Sequence, residues 1–486
     1  MQCLADVAPI LLWKHFEGLS ALPRVSCNEQ ALALYILSFA AGLGLPARKD
    51  SYGNVLVEKP ATAGMETRTK IILQAHLDMV GQKAPESSHD FAKDPIRLIR
   101  EGDWLRADGT TLGADNGIGV AAALAVLESK SLKHGPLAAL FTVEEEIGLK
   151  GAAHVDPSFL DGSILINLDA DAIDELTIGC AGALDIRASM ELRTQICPAD
   201  WKSVEVKLTG LQGGHSGADI HRGRANALRL LARMLARLGD QIEWRLSGFE
   251  GGDARNAIPR EARALLVYPS SAFPSLTLAL RTEESVLHSE LALAEPGLRL
   301  ELKQCAAPVT SIEWAASLRF LDLVRACPNG VVRFSEVHVG IVETSANLGI
   351  VSLGTDGLVA MQFLLRSLID SAKADLGESL AGLLRLAGAR LQIYGDYPGW
   401  QPDLTSRILP LFSEKCEGVL GLKPRTAVVH GGLECGILRA LKPSLDCISY
   451  GACIRDMHSP KESVSISSVE TFFRVLTEVL AASPTA

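Results

Sequence analysis

Five short stretches of the sequence bring together residue types that bind cations and move protons. The first is His76-Leu77-Asp78, at the end of the apolar run Ile71-Ile72-Leu73-Gln74-Ala75. The two-residue period of a strand puts imidazole and carboxylate on one face, so Asp78 can back His76 and fix its tautomer, as happens behind metal-bound histidines. Alone, an HxD at a strand end is more often a structural pair. The second is Asp115, in Thr110-Thr111-Leu112-Gly113-Ala114-Asp115-Asn116-Gly117, ahead of an Ala-rich stretch. An Asp there is ordinarily a helix cap, although a carboxylate in a Gly-lined turn can also offer its two oxygens to two cations.

The third stretch, Glu144-Glu145-Glu146, comes directly after apolar Phe141-Thr142-Val143. Three adjacent carboxylates repel one another unless cations or solvent intervene, and a solvated acidic loop accounts for them as well as a site does. In a regular strand Glu145 and Glu146 point opposite ways, so service to one site requires a turn, which Gly148 permits. One of the pair can then bind metal while its neighbour handles protons. Asp169 ends another apolar run, Ile164-Leu165-Ile166-Asn167-Leu168, and His458 lies in a loop, Met457-His458-Ser459-Pro460, whose place in the fold periodicity does not fix.

These residues need elements to hold them. Residues 71–76, 137–143 and 164–168 read as buried strands, 55–57 as a short strand after a turn at Tyr52-Gly53-Asn54, and 116–131 as an Ala-rich helix. Residues 28–43 read as a surface helix with Asn28 as N-cap and Gly42 or Gly44 as its stop. Such alternation indicates an α/β sheet covered by helices, in which ligands bind beyond the carboxyl ends of the strands. His76, Glu146 and Asp169 at strand ends, with Asp115 at a helix start, therefore read better as one shared acidic site than as four separate accidents. From Ile186 the texture changes. Val204 to Leu208 alternates, 224–238 reads as a long helix, and 342–353 and 358–365 read as paired strands of a smaller α+β domain. After a turn-rich stretch from Tyr394 to Gly399, helix and strand alternation resumes, either as a third domain or as a return to the first.

The chain has 486 residues, 48% hydrophobic and 21% charged, which is globular composition with two domains as the default. A net charge of -10 without a basic stripe argues against nucleic acid as a partner. Apolar stretches such as 120–127 and 137–143 fall far short of the roughly 20 residues that span a bilayer, which argues against a membrane partner. Residues 1–10 carry Asp6 and no basic region, unlike a secretory signal. The ten cysteines, Cys3 among them, form no CxxC pair and read mostly as buried thiols, so a cytoplasmic location is expected.

Together His76-Leu77-Asp78, Gly113-Ala114-Asp115-Asn116-Gly117, Glu145-Glu146-Ile147-Gly148, Asn167-Leu168-Asp169 and Met457-His458-Ser459-Pro460 resemble, in order and spacing, the co-catalytic zinc aminoacylases and peptidases. Carnosinases, tripeptidase T and carboxypeptidase G belong to that family. The resemblance covers nearly the whole chain. It is nearest to the branch that cleaves Xaa-His dipeptides, through Gln74-Ala75-His76-Leu77-Asp78-Met79-Val80, Arg255-Asn256-Ala257-Ile258-Pro259-Arg260-Glu261 and Gly432-Leu433-Glu434-Cys435-Gly436.

The resemblance implies two divalent cations per chain, zinc first, with manganese or cobalt as alternatives. Asp115 would bridge them, His76 and Asp169 would complete one site, and Glu146 and His458 the other. Glu145 would be the general base and Asp78 the orienter of His76. The implied fold is an α/β catalytic domain, 1–184 with 397–486, whose mixed sheet is sandwiched by helices, and an inserted smaller α+β lid domain, 185–396. The C-terminal segment thereby rejoins the first domain and carries His458 back. In the lid, His215 of Gly213-Gly214-His215-Ser216-Gly217 would stabilise the developing oxyanion, Asn256 would add a hydrogen bond, and Arg366 would hold the substrate's terminal carboxylate. Glu434 would attract the free amino group. A homodimer acting on a small peptide completes the expectation. The sequence departs from the family pattern at Arg24, where histidine is usual, at Glu144, where threonine is usual, and at Arg455-Asp456-Met457, where smaller residues are usual.

The expected reaction is metal-assisted hydrolysis of unblocked dipeptides, Xaa-His substrates such as β-alanyl-histidine among them. Its rivals are an N-acyl amino acid deacylase on the same metal centre and a catalytically silent binding protein of the same fold. No GxSxG elbow occurs, and no cysteine is paired by motif with a histidine, which disfavours nucleophilic catalysis.

Overall fold

Four short strands, Leu137–Thr142, Ile71–His76, Ile164–Asn167 and Asp446–Ser449, lie side by side and parallel within an eight-stranded sheet of the computed structural model, which describes residues 4–239, 242–403 and 405–485. Every residue of the first three is buried, which is why they read as unbroken apolar runs rather than as alternations. Parallel pairing sends all four carboxyl ends to one edge of the sheet. The register sets His76 opposite Thr142 and Gln74 opposite Asn167. Antiparallel strands Val55–Lys59, Ala47–Lys49 and Glu175–Cys180 flank this centre, so the sheet is mixed.

The helix Ala114–Glu128 packs on these strands, buried from Asn116 to Leu127. Its small residues let it come close. At Gly119 a Cβ would sit 2.5 Å from the Leu168 carbonyl oxygen, beside Asp169, so only glycine fits. The first turn is irregular, since Asp115 and Asn116 have non-helical backbone angles and the peptide between them is cis.

The chain divides into two compact units. The first comprises Met1–Cys180, Trp400–Val428 and Gly432–Ala486, and the second Ala181–Gly399 with Val429–Gly431. Within the first unit the returning segment is held by strand pairing: Ile454–Arg455 and Ser463–Ser465 form an antiparallel hairpin, whose second strand pairs with Trp104–Ala107. The second unit is built on a nine-stranded sheet in which every described pairing is antiparallel. It has its own core, in which Phe249 and Phe320 meet edge to face, as do Trp244 and Trp314.

Several local expectations shift. The helix of residues 28–43 starts at Gln30 with Glu29 in the N-cap position, and Asn28 belongs to the preceding turn, its N–H donating to the Val25 carbonyl. The helix expected over 224–238 is Ala227–Ala236, capped by Asn226, whose side chain accepts from Leu228 N at 3.0 Å. The first part of the turn-rich stretch, Tyr394 to Tyr397, ends a strand, Arg390–Tyr397, while Pro398 and Gly399 lie beyond it, and Gly395 with φ 61° marks a break in the strand's register. Among the described cysteines all are free and six are buried, while Cys3 lies outside the described residues. No helix among the described residues is long and apolar enough to cross a membrane.

Gly119→Ala is expected to force the helix off the Leu168 carbonyl, lowering the thermal midpoint and weakening cation binding together. A variant that melts and binds like the parent would show that the helix has slack there.

Candidate metal centre

His76 is the last residue of its strand and is 1% exposed. Its Nε2 lies 3.0 Å from Asp115 Oδ1 and 3.4 Å from Asp169 Oδ1. His458, in the hairpin loop, puts its Nε2 3.2 Å from Asp115 Oδ2 and 3.0 Å from Glu146 Oε2. Each oxygen of Asp115 thus faces a different imidazole. Ligand atoms of His76, Asp115 and Asp169 all lie within 4.8 Å of one another, and so do those of Asp115, Glu146 and His458. Glu145 Oε2 is 4.0 Å from His76 Nε2, and ligand atoms of His76, Glu145 and Glu146 form a third set within 4.8 Å of one another.

The electrostatics are those of crowded, buried carboxylates and imidazoles. Burial pushes the Glu145 carboxyl well above its ordinary range, reinforced by Asp169, Glu146 and Glu434. Burial likewise takes Asp169 up to about 6. Burial alone would lower His76, yet Asp169, Asp115 and Asp78 hold it well above its usual value. Hydrogen bonds to Asp115 and Glu146 raise His458 to about 10. Glu146 Oε1 is buried and finds no hydrogen-bond partner. Two imidazoles and three carboxylates, one of them shared, form a donor set that zinc, manganese and cobalt all accept, so the residues fit a pair of divalent cations.

Local backbone explains how one turn carries both Glu145 and Glu146. The strand stops at Thr142 and the chain reverses at Glu144, with φ 53°, sooner than Gly148. Tyr52 Oη donates to Glu144 Oε2 at 3.1 Å, and Glu29 accepts the Glu144 N–H at 3.0 Å. Asp78, fully buried, holds the next two residues: its Oδ1 accepts from Glu145 N at 3.0 Å and its Oδ2 from Glu146 N at 3.1 Å, with Ser26 Oγ also donating to Oδ2 at 2.8 Å. Behind His76, the closer partner of Nδ1 is the Asp78 carbonyl, at 3.2 Å, with the carboxylate at 3.4 Å. Either acceptor keeps the proton on Nδ1 and the Nε2 lone pair toward the carboxylates.

Glu462 is a residue that sequence reasoning passed over. Its two oxygens accept four consecutive backbone N–H groups, those of Leu112, Gly113, Ala114 and Asp115, at 2.8 to 3.2 Å. The loop that presents Asp115 is therefore clamped by the far end of the His458 hairpin. Asn116 Nδ2 donates to Asp169 Oδ1 and, at 3.0 Å, to Leu168 O. Of the family departures, Arg455 lies over the Trp104 ring at 4.1 Å and so packs the hairpin.

Glu434, the first residue of a helix, is fully buried in the same unit. Gln74 and Thr142 both donate to its Oε2, Asn167 donates to Gln74 Oε1 at 2.6 Å, and Ser449 donates to Asn167. Burial raises this carboxyl to about 7, and its Oε1 has no hydrogen-bond partner.

The second unit gathers the three remaining candidates. His215 and Asn256 meet at a two-stranded ladder in which His215 pairs with Ala257 and Ser216 N donates to Asn256 O at 2.8 Å. The His215 Nδ1 accepts from Gly217 N and Ala218 N at 3.2 and 3.1 Å, which puts the proton of the neutral ring on Nε2. Arg366 is 6% exposed, and its Nε has no hydrogen-bond partner. Opposite it on the paired strand is Ser345, whose Oγ is 2.7 Å from His430 Nε2. Burial, and then the charge of Arg366, lowers His430 to about 3.

Charge-assisted bonds of the Glu462 kind contribute about 1.5–3 kcal/mol each before strain is counted. Glu462→Gln is expected to lower the thermal midpoint by several degrees and to speed amide exchange at Leu112 to Asp115, with the central strands still protected. Unchanged exchange at those four amides would mean that the carboxylate does not hold the loop.

Comparison with known proteins agrees with the arrangement. Residues 72–482 match Peptidase family M20/M25/M40. The chain is 42% identical over 480 residues to the cytosol non-specific dipeptidase of Escherichia coli, covering 99% of each. It superposes on the crystal structure of aminoacylhistidine dipeptidase from Vibrio alginolyticus with a TM-score of 0.89 at 40% identity, over 99% of this chain and 98% of that one. A tripeptidase from Staphylococcus aureus shares the fold, at TM-score 0.57 and 17% identity over 98% of both chains. With its sheet, its paired acidic sites and a match along most of its length, this chain belongs to the M20/M25/M40 peptidases.

Proposed function

We propose that this chain is a two-metal dipeptidase that hydrolyses unblocked dipeptides, Xaa-His substrates such as β-alanyl-histidine among them. The observation that carries the proposal is Asp115, whose two oxygens face His76 and His458 separately at 3.0 and 3.2 Å, as a bridging ligand requires. The names of two relatives at 40% identity or more, both dipeptidases, support the substrate class. His76 and Asp169 would hold one cation, Glu146 and His458 the other, with zinc preferred. Cations held there would supply Lewis acidity, polarising the scissile carbonyl and lowering the pKa of the attacking water.

The protein's own groups do the rest. Glu145 takes the proton of the attacking water and delivers it to the leaving amine nitrogen, a task suited to a carboxyl whose burial gives it a high proton affinity. Asp78 keeps Glu145 and Glu146 on one turn through their N–H groups and keeps the His76 lone pair aimed inward. The unpartnered Oε1 of Glu434 suits an ammonium group, which would set the preference for a free amino terminus. In the second unit, read as a lid over 185–396, the Nε2–H of His215 serves the developing oxyanion, Asn256 adds a hydrogen bond, and Arg366 takes the terminal carboxylate. A homodimer in the cytoplasm belongs to the same proposal, and sedimentation tests the assembly.

Glu145→Gln is expected to keep two bound ions per chain while turnover falls by about 10²–10⁴-fold, the order of a general-base loss. Ordinary turnover in that variant would sink the assignment. In a panel of unblocked and N-acylated dipeptides, run on chelated protein with single metals restored, the unblocked substrates should be cleaved. Cleavage of acylated substrates alone would instead mean a deacylase, and fewer than one ion per chain would mean a silent binding protein.

A further inference from the structure

Arg24 is a charged side chain that the proposed reaction does not use, and it is only 3% exposed. Its Nη1 donates to the carbonyls of Leu77 and Asp78 at 3.0 and 3.2 Å, and its Nη2 donates to the carbonyl of Gly113. Those carbonyls belong to the two separate segments that present His76 and Asp115. The Asp78 carbonyl is the same one that lies 3.2 Å from His76 Nδ1, so the guanidinium shares its acceptor with the ring it lies behind. Main chain adds a further tie, from Met79 N to Arg24 O at 3.1 Å.

The space for this group is built from glycine. A Cβ at Gly113 or Gly117 would lie 2.5 or 2.7 Å from Nη2. The charge is matched as well, because Glu462, Asp78, Asp115 and Glu146 are the acidic groups whose fields offset its burial. Glu462 grips the N–H groups of the loop from Leu112 to Asp115, while Arg24 grips a carbonyl of that loop.

We propose that Arg24 is a positioning residue of the metal centre, fixing the separation of His76 from Asp115 by bridging the main chains that carry them, so that cation affinity depends on a side chain that touches no cation. The proposal rests on the two-metal reading. A planar fork reaches three carbonyls at once, which an ammonium on a single stem does not, so lysine is an incomplete substitute.

The test compares wild type, Arg24→Met and Arg24→Lys, each stripped of metal and titrated with zinc against a chromophoric chelator at a temperature where circular dichroism shows it folded. Wild type should bind two ions. Arg24→Met should bind at least one of them tenfold or more weakly, and Arg24→Lys should fall between. A folded Arg24→Met that retains both ions with wild-type affinity overturns the inference while leaving the two-metal reading intact. If Arg24→Met does not fold, wild-type affinity in Arg24→Lys overturns it equally. A wild-type protein that binds no zinc overturns the metal reading, and this inference with it.

Discussion

Carboxylates held closer together than water would allow are the constraint around which the first unit is arranged. Asp78, Asp115, Glu145, Glu146, Asp169 and Glu434 share one region with two imidazoles, and most of them are largely removed from solvent. Such crowding is tolerable only where fixed positive ends of dipoles or true cations stand against it. The chain supplies the dipoles from its own backbone. Two N–H groups turn toward Asp78 and four toward Glu462. Two buried oxygens without protein donors, Glu146 Oε1 and Glu434 Oε1, are where a cation or an ammonium is of most use.

The sheet makes this crowding possible. Parallel neighbours bring several chain segments to one edge at adjacent-strand spacing, so residues far apart in sequence arrive together without long loops. Rigidity is the cost. A helix of alanine and glycine must lie close against the strands, and a shift of that helix moves Asn116, and with it Asp169.

The same geometry determines how much of the molecule is legible in the sequence. Strands buried on both faces lose their alternation and appear as apolar runs, so the ends at His76, Thr142 and Asn167 fall within a residue or two of expectation. Asp115 reads equally well as a helix cap until its two oxygens are seen to face two rings. Arg24 and Glu462 are not legible at all as structural groups. Each is a charge buried against main-chain atoms rather than side chains, and main-chain atoms leave no trace in residue types. Their partners lie 89 and 350 positions away, beyond any periodic window. The reversal falls at Glu144 rather than near Gly148, a placement that residue types hide because a glutamate in left-handed backbone is unusual, and it is held there by Tyr52 and Glu29.

The hairpin that carries His458 and Glu462 also sets an order of assembly. Chain synthesis makes His76, Asp115, Glu146 and Asp169 early, yet the loop of Asp115 gains its four-amide acceptor only after residue 462 has been made. One half of the paired site therefore exists in a growing chain well before the other. A peptide-cutting centre of this design stays incomplete until its last histidine has been made, by virtue of chain order alone.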